Sequence, residues 1–368
     1  MEGDGQGSIA SLLARGPQDE FMLTDSKHPL FNPATDFSID QTAYVFGSSP
    51  YLGTRQVFSV NPKQLQGDLL VGAYLKLSLP QANYMAQAGR GITNQVSLYM
   101  NEVEVETWYA ESYFIQDQLF KTLNQQSLLG NVLNGTSLYI PLDFSFSLKN
   151  PFPVCATWNQ TMYIKIDFAA STDISESVFD LLEPPQIVLE TVTLTDLDRQ
   201  AFTNGYQMKI AKSYREPVQS VTNQLTNVNL TPSFKVKLMT WFLRKELKRF
   251  DFTYERTTNI ALRNEDIFEY ILIFVNNQIL TSRFPGRLFY KYLQPLNCGV
   301  NTPVSDIYMY SFGDGLDFSK ANSTSTTMNI KFRTDFIKDI ILNYTLNVYY
   351  WGEAQLNFSG GYCQLQGL

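Results

Sequence analysis

At 368 residues, 44% of them hydrophobic and only 17% charged, the chain is neither a disordered tail nor a coiled coil, and each half is long enough to bury its own core. A net charge of -7 excludes a protein whose whole surface serves nucleic-acid binding, because phosphate neutralisation needs a concentrated basic surface. Aromatic residues make up 14%, and polar bulk comes from Asn, Gln, Ser and Thr, a composition suited to many short strands, tight turns and extensive protein contacts.

Met1 to Gly7 lack the basic start and apolar core of a signal peptide, and no apolar run approaches the roughly 18 residues that a membrane span needs. The chain is therefore expected to be made and assembled without passing the secretory route. Ser8 to Gly16 predict a short helix: Ser8 suits the cap, Ile9, Leu12 and Leu13 share a face, and Gly16-Pro17 stops it. An apolar face exposed there calls for a neighbouring subunit or a lipid surface.

Strands are predicted at 21–24, 38–46, 55–60 and 69–79, where Lys76 and Ser78 alternate against Leu75, Leu77 and Leu79. Helices are few and short: 108–124, whose start also reads as strand, then 175–182 and 195–202. Pro184-Pro185, a β run over 187–194 and Asn204-Gly205 put a domain boundary near 205, within about ten residues either way. That divides the chain into an arm (1–25), a first β domain (26–205) and a second (206–368). The second domain predicts strands at 234–242, 248–254, 270–275, 307–312, 327–332 and 340–351, with Pro and Gly falling between them.

The two halves share one plan. Val96 to Glu106 read as strand, Asn-centred turn and strand, and lead on to Phe114; Ile271 to Leu280 do the same and lead to Phe289, Tyr290 and Tyr292. Leu138 to Phe146 precede Met162 to Phe168, as Asp306 to Phe312 precede Met328 to Phe336. Order and offset, about 170 residues, are both kept, and a period far beyond the roughly 20 to 50 residues of a solenoid repeat means two whole β domains in tandem.

Catalytic chemistry finds little support. His28, the one histidine, sits in a loop-like Ser-Lys-His-Pro with no neighbouring nucleophile and reads as a solvent-facing loop residue. Glu102, Glu104 and Glu106 share one face of a predicted strand, with Val103 and Val105 on the other; such carboxylates suit a cation or a glycosidase pair, but the commoner role is a solvated or intersubunit face. Gly313 to Asp317 resemble a fragment of a calcium loop and lack its closing Glu. No phosphate loop, Ser-centred elbow or Cys-His pairing occurs. Cys155, Cys298 and Cys363 are too widely spaced to draw a disulfide framework or zinc motif. The sequons at Asn134, Asn159, Asn229, Asn322, Asn343 and Asn357 are about what chance gives in such a chain. The basic run Arg244 to Arg249 reads either as an electrostatic contact with genome, membrane or an acidic partner, or as a charged strand edge that discourages pairing, which is the preferred reading.

Several landmarks fall in an order that resembles the double jelly-roll major capsid proteins of eukaryotic DNA viruses, a lineage spanning nucleocytoplasmic large DNA viruses, virophages and polinton-like elements. They are Leu12 to Asp19 with Phe21 to Thr24, Asp68 to Pro80, Ile140 to Phe146 with Asn150-Pro151, Glu190 to Phe202, Asn276-Asn277, Tyr308 to Phe312 and Tyr344 to Tyr350. The segment after Phe312 lacks the Pro-Ser-Gly turn of the large viruses, and the chain is shorter than most members, which favours a small virus, virophage or polinton-like element.

The resemblance implies an all-β fold of two tandem eight-stranded jelly-roll barrels with a few short helices. It also implies a homotrimer forming a pseudo-hexameric capsomer of an icosahedral capsid, no catalysis and no cofactor or metal. Neighbouring capsomers, penton and minor capsid proteins are the implied partners, without sequence-specific nucleic-acid binding, and the virion is the implied location. Ile9, Leu12, Leu13 and Arg15 are placed on the inner side, against an internal membrane or minor capsid proteins, and 84–93 and 281–304 as loops at barrel ends. The rival reading is a carbohydrate-binding or enzymatic protein on a two-barrel scaffold. A cupin of that kind would need a His and carboxylate metal cluster that one histidine cannot supply.

Overall fold

The computed structural model describes residues 38–45, 47, 49–132, 137–221, 225–230, 234, 236–245, 267–275, 277–281, 283–284, 286–312, 326–332 and 344–366. The predicted arm helix with Ile9, Leu12, Leu13 and Arg15, the strands at 21–24 and 248–254, His28 and the acidic loop 313–317 lie outside them.

The first half supplies β1 (Ser38–Val45), β2 (Arg55–Val60), β3 (Leu69–Ser78), β4 (Thr93–Met100), β5 (Val103–Tyr109), β6 (Ser137–Pro141), β7 (Phe152–Pro153), β8 (Met162–Phe168) and β9 (Gln186–Thr193). The second supplies β10 (Tyr206–Arg215), β11 (Gln219–Ser220), β12 (Leu225–Leu230), β13 (Val236–Lys245), β14 (Phe268–Val275), β15 (Gln278–Ile279), β16 (Tyr308–Ser311), β17 (Thr326–Phe332), β18 (Tyr344–Ser359) and β19 (Tyr362–Gln366). In the first half one sheet runs β1-β9-β3-β6 and the other β2-β8-β4-β5; in the second, β10-β18-β13-β16 and β12-β17-β14-β15. Leaving aside the short flanking strands β7, β11 and β19, both halves order their strands first-eighth-third-sixth and second-seventh-fourth-fifth. That is two antiparallel jelly rolls built on one topology.

The repeat read in the sequence corresponds to the hairpins β4-β5 and β14-β15. Their turns place Asn101 and Asn277 at φ 51° and 64°, a left-handed backbone that Asn tolerates better than most residues. Strand patterning follows burial closely. In β3, Leu75 and Leu77 point inward while Lys76 and Ser78 do not, and in β8 the inward row is Met162, Ile164, Ile166 and Phe168.

β13 and β18 depart from this alternation because both of their faces are covered. Met239, Trp241, Leu346, Val348 and Tyr350 fill the interior of the second barrel. Leu238, Phe242, Tyr349 and Trp351, on the opposite face of the same sheet, join the core of the first barrel. These strands therefore read as near-continuous apolar runs.

Two helical expectations are refined. The region 108–124 is strand through Tyr109, helix over Ala110–Phe120, and a second helix over Leu123–Gly130, started by a capping box between Thr122 and Gln125. The helix at 195–202 forms as Asp196–Thr203, with Thr195 accepting from the Asp198 N–H. The helix at 175–182 does not form; a single turn at Ser171–Ile174 precedes it. The carboxylate of Asp180 instead accepts from the backbone N–H groups of Tyr51, Leu52 and Leu181, so that segment clamps a distant loop. The presumed loop 281–304 contains a π-helical stretch, Gly286–Leu293, continued by a turn of α-helix at Gln294–Asn297, and 84–93 contains the short helix Ala88–Gly91.

The helix Ala110–Phe120 is held by a buried charge network. The Arg90 guanidinium, with no exposed side-chain surface, donates to Asp117 at 2.8 and 3.0 Å and to Asp143 at 2.9 Å, and lies 4.9 Å over the Tyr113 ring. Lys121 reaches the same two carboxylates at 2.8 and 2.9 Å. One cation thus ties the connection before β4, the helix after β5 and the segment after β6. Removing it leaves Asp117 buried with less compensation, so Arg90→Ala is expected to lower stability by about 3–5 kcal/mol in urea unfolding. A loss under about 1 kcal/mol would mean that the network is solvated.

Candidate functional site: the junction between the barrels

Among the described residues no group of three or more His, Cys, Asp or Glu side chains is placed to hold a metal, and no helix is long and apolar enough to cross a membrane. The three cysteines are free thiols, and burial pushes Cys155 and Cys363 up to about 12. The chemistry of the molecule concentrates where the two barrels meet.

β5 carries the first set of contacts, and it corrects the expected carboxylate ladder. A β-bulge at Val105 interrupts the pairing with β4, so Glu106 lies opposite Leu98 and becomes buried, while Glu104 stays exposed. Glu106 accepts from Trp108 Nε1 at 2.7 Å, from Ser145 Oγ at 3.0 Å and from the Ser145 N–H at 3.1 Å. Ser145 Oγ in turn accepts from the Ala211 N–H on β10 at 2.7 Å. Burial pushes the Glu106 carboxyl up to about 7, against the opposing pull of the Ser145 and Trp108 hydrogen bonds and the Lys212 charge. Lys212 is itself buried, which lowers its pKa, and its Nζ donates to the Glu104 carbonyl at 3.1 Å. Asn150 Nδ2 completes the edge by donating to the Lys209 carbonyl at 2.8 Å. Barrel one thereby satisfies backbone groups on the open edge of β10.

The helix after β5 supplies the second set. Glu111 pairs with Arg244 at 2.9 Å, Tyr109 packs against Tyr349 at 6.2 Å, and the Arg215 guanidinium lies 4.7 Å over the Tyr109 ring. Gln118 Oε1 accepts from the Val304 N–H at 2.9 Å, while Asn301 donates from its backbone to the Leu119 carbonyl at 2.9 Å and from its side chain to the Lys121 carbonyl at 3.0 Å. A polar cleft of about 870 Å³ opens here, lined by Arg55, Glu111, Asp167, Asp173, Arg215 and Arg244 among others. Arg244 is accordingly no charged strand edge: its partner is a buried carboxylate of the other barrel. Lys245 ends β13, and 246–249 lie outside the described residues.

Sequence reading did not single out Ser145, Lys212 or Arg215, and it assigned Glu106 to the wrong face. The available signal was a charged residue inside a run that is otherwise apolar or β-forming, as in Val105-Glu-Thr-Trp108.

Comparison with known proteins is consistent with this architecture. Residues 202–336 match the model of a family described as large eukaryotic DNA virus major capsid protein. No curated protein matches the chain by sequence. Among solved structures, PBCV-1 VP54, in a crystal structure fitted into a reconstruction of the virophage Sputnik, superposes with a TM-score of 0.75 at 15% identity, covering 92% of this chain and 98% of that one. The Faustovirus major capsid protein gives 0.68 at 8% identity, covering 96% and 97%. The Sputnik virophage structure gives 0.56 at 10% identity, covering 96% and 92%. The fold is thus that of the double jelly-roll capsid proteins. The sequence match to the family of large eukaryotic DNA virus major capsid proteins falls on residues 202–336, the greater part of the second barrel.

For Glu106 the folded carboxyl binds its proton more tightly than the ordinary one near 4.5, so its contribution to stability is present below that value and is lost as pH rises to about 7. Between pH 5 and pH 8 the wild type should lose more stability than Glu106→Gln, measured by thermal unfolding across pH. Parallel curves would show that Glu106 is ionised throughout.

Proposed function

We propose that the protein is the major shell subunit of an icosahedral virion, in which three chains associate into a pseudo-hexameric capsomer and capsomers tile the shell. The observation that carries this reading is the repeated topology: two barrels of identical strand order, joined through unlike faces. A head-to-tail contact between like units generates a closed ring when its rotation closes, and three chains bring six such barrels. The division into an arm (1–25), a first barrel (26–205) and a second (206–368) belongs to the same proposal. So do synthesis and assembly inside the host cell, contacts with penton and minor capsid proteins, and the absence of catalysis.

The arm carries Ile9, Leu12, Leu13 and Arg15 and is assigned to the inner side of the shell, against minor capsid proteins or an internal membrane. The spacing of Ile9, Leu12 and Leu13, which would share one face of a helix, supports the assignment. Light scattering coupled to size exclusion is expected to give a species of three times 42.0 kDa that resists dilution; a stable monomer would remove the capsomer reading. Deleting residues 1–17 should leave trimers intact and impair shell assembly, and monomers from that deletion would overturn the placement of the arm.

A further inference from the structure

The polar cleft of about 870 Å³ beside the junction is built from two unlike parts. Its floor is one cross-strand row of the β2-β8-β4-β5 sheet: Arg55 lies opposite Asp167, Asp167 opposite Gln95, and Gln95 opposite Tyr109. Residues opposite one another across a sheet share a face, so these four side chains point to the same side. The second barrel contributes two residues, Arg215 at the end of β10 and Arg244 near the end of β13, and both are arginines. Charge is graded across the cleft. In the Arg55–Asp167 pair the guanidinium is 62% exposed and the carboxylate 23%; in the Arg244–Glu111 pair the values are 23% and 3%. The carboxylate is the more deeply buried partner each time, so the surface these pairs turn to solvent is cationic. Arg215 lies 4.7 Å over the Tyr109 ring and makes no ion pair with a carboxylate among the described residues.

Hydrogen-bonding capacity is left over on both sides. A guanidinium carries five N–H donors; Asp167 takes two from Arg55, and Glu111 takes one from Arg244. Acceptors stand among these donors. The side-chain nitrogens of Asn94 and Gln95 donate to the Phe168 carbonyl and to Ser97 Oγ, while their side-chain oxygens accept nothing among the described residues, and Asp173 is exposed at the cleft. We infer that this cleft binds an acidic saccharide, its carboxylate on Arg215 and Arg244 and its hydroxyls on Asn94, Gln95 and Asp173. A planar guanidinium fork matches a carboxylate through two parallel hydrogen bonds, and the Tyr109 face holds Arg215 in place for that contact. The free acceptors require hydroxyl donors, which a sugar supplies in number and an inorganic anion does not. Asp173 disfavours a polyanion such as a nucleic-acid backbone. The volume falls within the roughly 300–1,000 Å³ of small-molecule sites. This inference adds a ligand to the protein and does not depend on how many chains associate.

The test titrates the purified full chain by calorimetry with sialyllactose and with cellobiouronic acid, each bearing one carboxylate, beside their neutral counterparts lactose and cellobiose and beside sodium sulfate. At least one carboxylated sugar should bind, with its neutral counterpart and sulfate weaker by roughly tenfold or more. Arg215→Gln should weaken that binding by roughly tenfold or more. Because Arg215 also packs at the junction, Asn94→Asp serves as a second variant: it places a repelling charge at an exposed position of the first barrel, and should abolish binding with thermal unfolding unchanged. Failure of both carboxylated sugars to bind, equal binding of sulfate or of the neutral sugars, or binding that survives Asn94→Asp would overturn the inference. A monomeric chain that binds the carboxylated sugar and loses it in Asn94→Asp would support this site while removing the capsomer reading.

Discussion

A β-sheet with two apolar faces has to be covered twice, and the sheet β10-β18-β13-β16 imposes that requirement on the whole molecule. Its inner face closes the second barrel, and its outer face, with Leu238, Phe242, Tyr349 and Trp351, is kept from water by the first barrel. The join between the barrels is therefore a packed core rather than a linker. The helix Ala110–Phe120 is enclosed by elements of its own barrel on most sides and met by Arg244 and Val304 of the second, so almost every face of it is buried and it carries no clean amphipathic stripe.

Charges buried in and around this core are arranged to offset their desolvation. Arg90 meets two carboxylates and an aromatic face, and Glu106 accepts three hydrogen bonds while Ser145 passes one further contact to β10. Apolar packing alone would tolerate several relative placements of two barrels. A carboxylate that must find Ser145, which in turn must find the Ala211 N–H, tolerates few. The buried polar groups thus set the angle of the join, and the apolar surface supplies its strength.

Duplication gives the two barrels the same strand order and the same hairpin, down to left-handed Asn101 and Asn277. What separates them is the surroundings of each copy. The segment after β5 is helical and enclosed, whereas the one after β15 is π-helical, with Tyr290 and Lys291 buried and Leu288 exposed.

Much of the architecture was legible in the residues. Alternation in 69–79 marked β3 to within a residue, because a half-buried strand writes its two faces directly into a period of two. The offset repeat marked two β domains in tandem, and each half carries one jelly roll. The junction was not legible, because its partners are far apart in the chain: Glu106 with Ser145 and Ala211, Glu111 with Arg244, Gln118 with Val304. A single-residue bulge at Val105 was enough to reverse the reading of the glutamate ladder, since one extra residue turns every following side chain to the opposite face. Strands such as β3, the duplication and the all-β class are written in the residues, because they depend on local periodicity and turn chemistry. Only the tertiary structure decided which faces and charges are covered, because burial depends on what the rest of the chain brings against them.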